Sequence, residues 1–320
     1  MQQLSLQATL GKMICPSCFD GQLQHMATNG HRHVACAQCG RAFGIECEVI
    51  DFVMADRLHP TNQNEISGNT IDLTDEHMVL GAIQKGDDNP IYMWQMNRTA
   101  RVLVRMMARY GEETALHVIG TGAGFDLKLL LQRRRFGQVL ASDISLTKCS
   151  IVPRTLQSFD GELSVYACEF RHCPVRKERG NLGLVFQALH HAPDAHAALE
   201  RLLDNNFANL IIVEPITNWL VQILAVLGLA KRTEYSGVRP DWMSLKRIRQ
   251  IAADRAYSVD IVTWWELPPV CYPQRLRHRP LLWKPMCWAV GAFSRLTTLF
   301  GFGCMAAVHL RAREDHPIPR

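Results

Sequence analysis

Residues 115–126, ALHVIGTGAGFD, decide the fold of this 320-residue chain. Leu116 to Ile119 form a continuous apolar run that predicts a short buried strand, and the leucines from Leu127 onward predict a helix. Between them, three glycines at alternate positions let the backbone turn sharply and approach a bound group. The helix start then directs its free N–H groups towards that group. A glycine turn alone is weak evidence, so its meaning depends on the rest of the chain.

The composition is that of a globular protein with a mild excess of positive charge. Hydrophobic residues make up 48% of the chain and charged residues 20%, with a net charge of +5. This charge permits an anionic partner, such as RNA, an anionic membrane surface or a phosphorylated substrate, but does not require one. The N-terminus lacks the basic start and apolar core of a secretory signal, which predicts a cytoplasmic location. Without a run of eighteen apolar residues, a membrane-spanning helix is not expected.

Four of the eleven cysteines form two C-x-x-C pairs, Cys15 with Cys18 and Cys36 with Cys39. Their separation favours a tetrahedral four-cysteine zinc site over redox-active pairs. Such a site has no open coordination position, so the metal is expected to hold the fold. Residues 10–55 therefore predict a zinc ribbon. About residues 12–54 resemble the small zinc-ribbon family that is fused to methyltransferases or serves as their activating subunit, although Cys47 and Glu48 occupy a turn where that family usually has glycine.

The ribbon is followed by a polar stretch and then by an amphipathic pattern. Residues 56–90 are rich in polar residues and predict a linker, with one short helix over 72–83. Apolar residues at helical spacing over 91–110 predict the first helix of a second domain, residues 91–315. Tyr92 and Trp94 in this helix either cover a cofactor or pack against other helices.

After the glycine turn, buried strands end in polar residues. The strand at 138–143 ends in Asp143, a little over twenty residues past the first glycine, where its carboxylate can accept hydrogen bonds from a ribose or cap a helix. The strand at 163–168 is followed by Glu169, a possible acceptor for an adenine amine, and by Phe170. Further strands are expected at 182–187 and 209–213. Such alternation of strands and helices predicts an open parallel sheet that binds a ligand at its carboxyl edge.

These motifs, together with the phrase Leu-His-His-Ala-Pro-Asp at 189–194 and Val-Glu-Pro at 213–215, resemble a class I S-adenosylmethionine-dependent methyltransferase over about residues 92–313. The resemblance implies an α/β fold with a Rossmann-like seven-stranded sheet, mostly parallel with an antiparallel last strand, and helices on both faces. It implies S-adenosyl-L-methionine as cofactor. The implied cofactor contacts are Gly120, Thr121, Gly122, Gly124, Asp143, Ile144, Glu169, Phe170 and Gln187.

Two positions depart from the family pattern. Val118 stands where the family usually has an acid that contacts the amino group of the methionine moiety, and residues 204–207 replace its usual Pro-Gly-Gly turn. A Rossmann dehydrogenase would explain Asp143 equally well. It does not explain the His-His phrase, and Phe125 stands where its third glycine would be.

His190 and His191 follow the fourth strand, at the sheet edge where the transferred methyl group is expected. Either histidine is a candidate catalytic residue that accepts a proton or positions the acceptor. The alternative is that both are structural. The chain lacks an Asn/Asp-Pro-Pro-aromatic sequence after this strand, which disfavours methylation of an exocyclic base nitrogen.

Apolar insertions are expected at about 216–240 and 268–302, where aromatic and aliphatic residues lie near arginines. This combination suits contact with an anionic bilayer, a lid over a hydrophobic substrate, or internal packing. The leading prediction is methylation, at oxygen or carbon, of a small hydrophobic or membrane-associated acceptor. The alternatives are RNA methylation, with the ribbon binding the substrate, and a non-catalytic scaffold.

Overall fold

The structure is a computed structural model that describes residues 2–3, 6–28, 31–84, 89–226, 243–266, 279–299 and 302–313. The strands are β1 (Gln2–Gln3), β2 (Leu23–Thr28), β3 (His31–Cys36), β4 (Ala42–Glu46), β5 (Val49–Asp51), β6 (Ala115–Ile119), β7 (Gln138–Asp143), β8 (Glu162–Ala167), β9 (Asn181–Phe186), β10 (Asn209–Pro215), β11 (Tyr257–Trp264) and β12 (Met305–Ala312). The helices are α1 (Leu6–Gly11), α2 (Pro60–Gly68), α3 (Glu76–Ile83), α4 (Pro90–Met106), α5 (Phe125–Leu131), α6 (Leu146–Thr155), α7 (Ala195–Asn205), α8 (Trp219–Val226), α9 (Leu245–Asp254) and α10 (Pro280–Leu299).

Seven strands form the expected α/β sheet in the order β11-β12-β10-β9-β6-β7-β8. The neighbours from β10 to β8 pair in parallel, and β12 pairs antiparallel with β10 and β11. The central strand β6 is buried at all five positions, because helices cover both faces. The predicted fold class, including the antiparallel last strand, is confirmed.

The sheet does not stop at seven strands, because the cysteine-rich segment is hydrogen-bonded to its edge. Strand β5 pairs in parallel with β8, where Ile50 lies opposite Tyr166, and β4, β3 and β2 continue the antiparallel order outwards. Strand β1 also pairs with β8. The predicted count of seven therefore holds only for the Rossmann-like part. The alternation of residue types in 40–45 and 49–53 predicts strands that return over the ribbon, but it contains no information about which strand of the sheet they join.

The described part of the polar stretch predicted as a linker, residues 56–84 and 89–90, contains α2 as well as the expected α3. Pro60 occupies the first position of α2, and Asp75 caps α3 by accepting hydrogen bonds from His77 and Met78. Six of the nine residues of α2 are polar, so the sequence offers no apolar period that would reveal a helix.

The carboxyl-terminal insertions are described in part. Helix α8 lies in the first and α10 in the second, while Lys231, Arg232, Arg275 and Arg277 lie outside the described residues. Among the helices that the structure describes, none is long and apolar enough to cross a membrane. Asp194 caps α7 through a 2.8 Å hydrogen bond from Ala197 N.

Candidate functional site

A cavity of about 380 Å³ lies at the carboxyl ends of β6, β7, β8 and β9. Its volume falls in the range of sites for small ligands and cofactors, about 300–1,000 Å³. Every residue predicted to contact a cofactor lines it except Gly124, and so does His191. Part of the lining comes from segments of the chain that the sequence did not mark, namely Asn62, Glu65, Gly68 and Asn69 of the α2 region, Ala82 of α3, and Lys148 of α6.

The glycine turn needs its glycines for different reasons. Gly120, Gly122 and Gly124 all have positive φ angles, of 74°, 55° and 88°. A Cβ atom on Gly120 would lie 2.1 Å from the Cβ of Ala188, so this glycine lets the turn contact the loop after β9. A Cβ atom on Gly122 would meet nothing within 4 Å, because this position faces open space. The turn therefore leaves its backbone accessible to a ligand at Gly122.

Asp143 is held between the glycine turn and the start of α6. Its Oδ2 accepts a 2.8 Å hydrogen bond from Gly122 N, and its Oδ1 accepts a 3.0 Å bond from Ser145 N. An ionised carboxylate offers about four lone-pair sites, so these two bonds leave acceptor capacity on the cavity side. The geometry fits the expected role towards a pair of ribose hydroxyls.

Glu169 lines the cavity, and its carboxylate already contacts the side chains of Arg171 and His172. Arg171 Nε donates to both carboxylate oxygens at 2.9 and 3.1 Å, and His172 Nδ1 lies 3.0 Å from Oε2. Burial would raise the pKa of Glu169, but the hydrogen bonds from His172 and Arg171 outweigh it and lower this pKa below its ordinary value. Glu169 is therefore a charged acceptor whose position is fixed by its own loop.

The buried polar atoms at the cavity that have no hydrogen-bond partner among the described residues include Thr121 Oγ1 and Gln187 Nε2. Gln187 also has a φ angle of 47°, which is unfavourable for a residue with a side chain. Backbone strain of this kind concentrates at binding sites. Both atoms are available to a polar ligand, and buried polar groups are normally hydrogen-bonded.

The two candidate catalytic histidines occupy different places. His190 is 5% exposed and does not line the cavity, and its Nδ1 lies 2.6 Å from Glu214 Oε2. The other oxygen of Glu214 accepts hydrogen bonds from Ala188 N and Leu189 N, so this carboxylate holds the loop after β9. His191 lines the cavity, and its Nδ1 lies 3.7 Å from Glu65 Oε2. Glu65 was not expected, because α2 was not expected.

The missing acid at position 118 is not replaced within the strand. Val118 is 2% exposed and packs in an apolar cluster with Leu103 and Leu127. Asp126, in the first turn of α5, does line the cavity. The signal for Asp126 was present in the sequence, because it lies two residues after the last glycine of the turn.

The four predicted metal ligands converge. The sulfurs of Cys15, Cys18, Cys36 and Cys39 all lie within 4.8 Å of one another, with two pairs at 3.7 Å. Ligands 2.3 Å from a tetrahedral zinc ion would be about 3.8 Å apart. Backbone N–H groups of Ser17, Gly21, Gln38 and Cys39 donate to these sulfurs at 3.4 Å. The donor set therefore fits a four-coordinate thiolate site.

Comparisons with known proteins give similar folds at low identity. No family model matches the sequence, and no curated protein matches it. The YcgJ protein from Bacillus subtilis is 14% identical, covering 68% of this chain and 99% of that chain with a TM-score of 0.46. Magnesium protoporphyrin IX methyltransferase from Synechocystis PCC 6803, with bound SAH, is 13% identical, covering 78% of this chain and 94% of that chain with a TM-score of 0.45.

A chain in the complex between the Haloferax volcanii Trm112 methyltransferase activator and a methyltransferase is 15% identical over 74% of this chain and 96% of that chain, with a TM-score of 0.45. The strand order and the antiparallel β12 of the present chain are those of the seven-stranded sheet that the sequence resemblance implies. This topology defines the fold but does not identify the substrate.

Replacement of Glu214 tests whether its carboxylate holds the loop that presents His191. Glu214→Ala leaves two buried N–H groups and His190 without their acceptor, so we expect the free energy of unfolding to fall by about 3 kcal/mol or more. Glu214→Gln retains an acceptor oxygen and is expected to cost about 1 kcal/mol. Urea denaturation of both variants provides the measurement. Equal losses for the two variants would contradict this role.

Proposed function

We propose that this chain is an S-adenosylmethionine-dependent methyltransferase. The observation that carries the proposal is the convergence, at one cavity, of an open glycine turn, the Asp143 carboxylate and two unpartnered polar atoms. This donor and acceptor set fits a nucleoside with an attached amino acid. The donor would supply an activated methyl group, so the protein mainly aligns the acceptor and excludes water.

The residues around the cavity divide into distinct roles in this proposal. Asp143 accepts the ribose hydroxyls, and the peptide groups of Gly120 and Gly122 lie along the donor. Asp126 supplies the negative charge for the amino group of the methionine moiety, because position 118 holds a valine and not an acid. Tyr92 stays protonated as a hydrogen-bond donor, because burial and the nearby Asp126 and Glu266 raise its pKa well above the ordinary value.

The acceptor is proposed to be small and hydrophobic and to approach from an anionic membrane surface. Exposed apolar side chains on α8 and α10 support this, among them Trp219, Val226, Leu281, Trp288 and Leu296 at 58–87% exposure. Helix α10 carries the basic residues Lys284 and Arg295 and has no acidic residue. Amphipathic helices with these features bind anionic bilayers.

Helix α4 connects this apolar surface to the cavity. Tyr92 of α4 lines the cavity, while its neighbours Ile91 and Trp94 pack against Trp283, Met286 and Cys287 of α10. An acceptor held at α10 would therefore lie near the cavity entrance.

The ion in the cysteine cluster is proposed to be structural zinc, since four thiolates in tetrahedral arrangement favour it. Beyond holding the ribbon, it would stabilise the loop that carries Glu169. Phe19, directly after the first cysteine pair, stacks on His172 with ring centroids 6.4 Å apart, and His172 contacts Glu169.

Binding of the demethylated product tests the cofactor assignment. Titration calorimetry with S-adenosylhomocysteine is expected to give one site per chain. Asp143→Ala should weaken binding about tenfold or more, because hydrogen bonds to a charged group contribute about 1.5–3 kcal/mol. Asp160→Ala, an exposed acid before β8, serves as the matched control. Absence of binding by the unmodified chain would overturn the proposal and favour a non-catalytic scaffold.

The metal site can be tested through Gly21. A Cβ atom there would lie 2.2 Å from Cys36 Sγ, so Gly21→Ala should lower the zinc content below one ion per chain and weaken S-adenosylhomocysteine binding. Gly11→Ala, whose Cβ would meet nothing within 4 Å, is the control. Elemental analysis and calorimetry measure the two effects. Full zinc content in Gly21→Ala would contradict the geometry.

The acceptor class can be tested with vesicles and labelled donor. Co-sedimentation with phosphatidylglycerol vesicles should exceed that with phosphatidylcholine and fall about fivefold or more in a Leu281→Ser, Trp288→Ser double variant. Met26→Ser removes an apolar side chain that is 46% exposed on the ribbon and should have no effect. Label from S-adenosylmethionine should enter the lipid fraction of a cell extract. Label in the RNA fraction instead would contradict a lipid acceptor and favour RNA methylation.

A further inference from the structure

We propose that Glu65 of α2 is a positioning residue that makes His191 the general base for a hydroxyl acceptor. This inference rests on the proposed methyltransferase function and narrows it to methylation at oxygen. Glu65 lies outside the Rossmann-like sheet, and 126 positions separate it from His191 in the sequence. The fold nevertheless places both side chains at the same cavity, with 3.7 Å between Glu65 Oε2 and His191 Nδ1.

Both groups are shielded but reachable from the cavity. The side chain of Glu65 is 15% exposed and that of His191 is 25% exposed. A separation of 3.7 Å is longer than a hydrogen bond, and contacts of this kind often tighten when substrate fills a site. Partial burial strengthens the interaction between a carboxylate and an imidazole relative to water.

The position of Glu65 is fixed by hydrogen bonds at the end of α2. Asn69 Nδ2 donates to Glu65 Oε1 at 2.5 Å, so Oε2 is the oxygen nearest to His191. Asn69 Oδ1 accepts a 2.5 Å hydrogen bond from Lys148 Nζ, and Ser145 Oγ lies 3.4 Å from Asn69 O. Helix α2 is thereby attached to the loop after β7, close to Asp143, and extends Glu65 towards the loop after β9.

This arrangement selects one form of the imidazole. A carboxylate beside Nδ1 favours the tautomer with its proton on that nitrogen, so that Nε2 carries the lone pair that acts as the base. The acceptor oxygen then forms its bond to the methyl carbon, the carbon–sulfur bond breaks with its electron pair on sulfur, and the hydroxyl proton passes to Nε2. Glu65 stabilises the imidazolium that results. A carbon nucleophile without an acidic proton would not need this pair.

The test uses Glu65→Gln in the full chain, because the proposal predicts a specific imidazole tautomer of His191 in this variant. Asn69 continues to donate to the oxygen of the introduced amide, so its NH₂ group would face His191 Nδ1. His191 is then expected to carry its proton on Nε2 and to lose the function of a base. Histidine-selective ¹⁵N NMR with S-adenosylhomocysteine reads the tautomer, and the His191→Asn spectrum assigns the signal.

Activity provides the second readout, with the labelled acceptor fraction as substrate. Glu65→Gln should lower the turnover rate about tenfold or more, since a general base contributes about 10²–10⁴-fold. Its affinity for S-adenosylhomocysteine should stay within about twofold of the unmodified chain. The matched control is Glu76→Gln, which removes an exposed acid of α3 that pairs with Arg154 of α6. This variant should retain full turnover.

The outcomes separate this inference from the function on which it rests. If the unmodified chain carries its His191 proton on Nε2, or if Glu65→Gln leaves tautomer and turnover unchanged, the inference is wrong while the methyltransferase function stands. If the chain does not bind S-adenosylhomocysteine, the proposed function fails and the general-base role of His191 fails with it, while the NMR spectrum of the unliganded chain shows whether Glu65 orients His191.

Discussion

The hydrogen-bonded contact between the cysteine ribbon and β8 is the constraint on which the candidate site depends. Strand β8 would otherwise be an exposed edge, and such edges invite pairing with other chains. Strand β5 covers it, and Phe52, which directly follows β5, packs edge-to-face against Phe43 of the ribbon and Tyr166 of β8. Since Phe52 is fully buried, the ribbon and the Rossmann-like sheet share one core.

The same contact extends to the loop that holds Glu169. Ile14 N donates to Pro174 O at 2.7 Å, and Met13 bridges to Val175. The loop between β8 and β9 is therefore fixed from the ribbon side by backbone hydrogen bonds. At the proposed zinc site, the ion would hold the ribbon, and the ribbon in turn contacts the loop through these hydrogen bonds.

The sequence was most informative where a local pattern determines the structure. Continuous apolar runs such as 115–119 predicted buried strands, and the glycine turn, Asp143 and the cysteine pairs were recognisable from residue type and spacing. The roles assigned to the cofactor residues remain predictions. Glu65 and the strand pairing of the ribbon could not be predicted, because both depend on contacts between distant segments. Helix α2 has no apolar period, so even its existence lacked a sequence signal.

The two histidines show why adjacent residues of the same type can differ in function. The loop after β9 needs an acceptor for its buried N–H groups, and Glu214 at the end of β10 provides it. His190 faces this carboxylate, so its buried position follows from its contact with the residue that holds the loop. His191, with ring centroids 4.2 Å away, lies on the cavity side and meets a second carboxylate from a different element. A carboxylate that fixes the loop and another that orients the imidazole are separate requirements, and the fold meets them with separate glutamates.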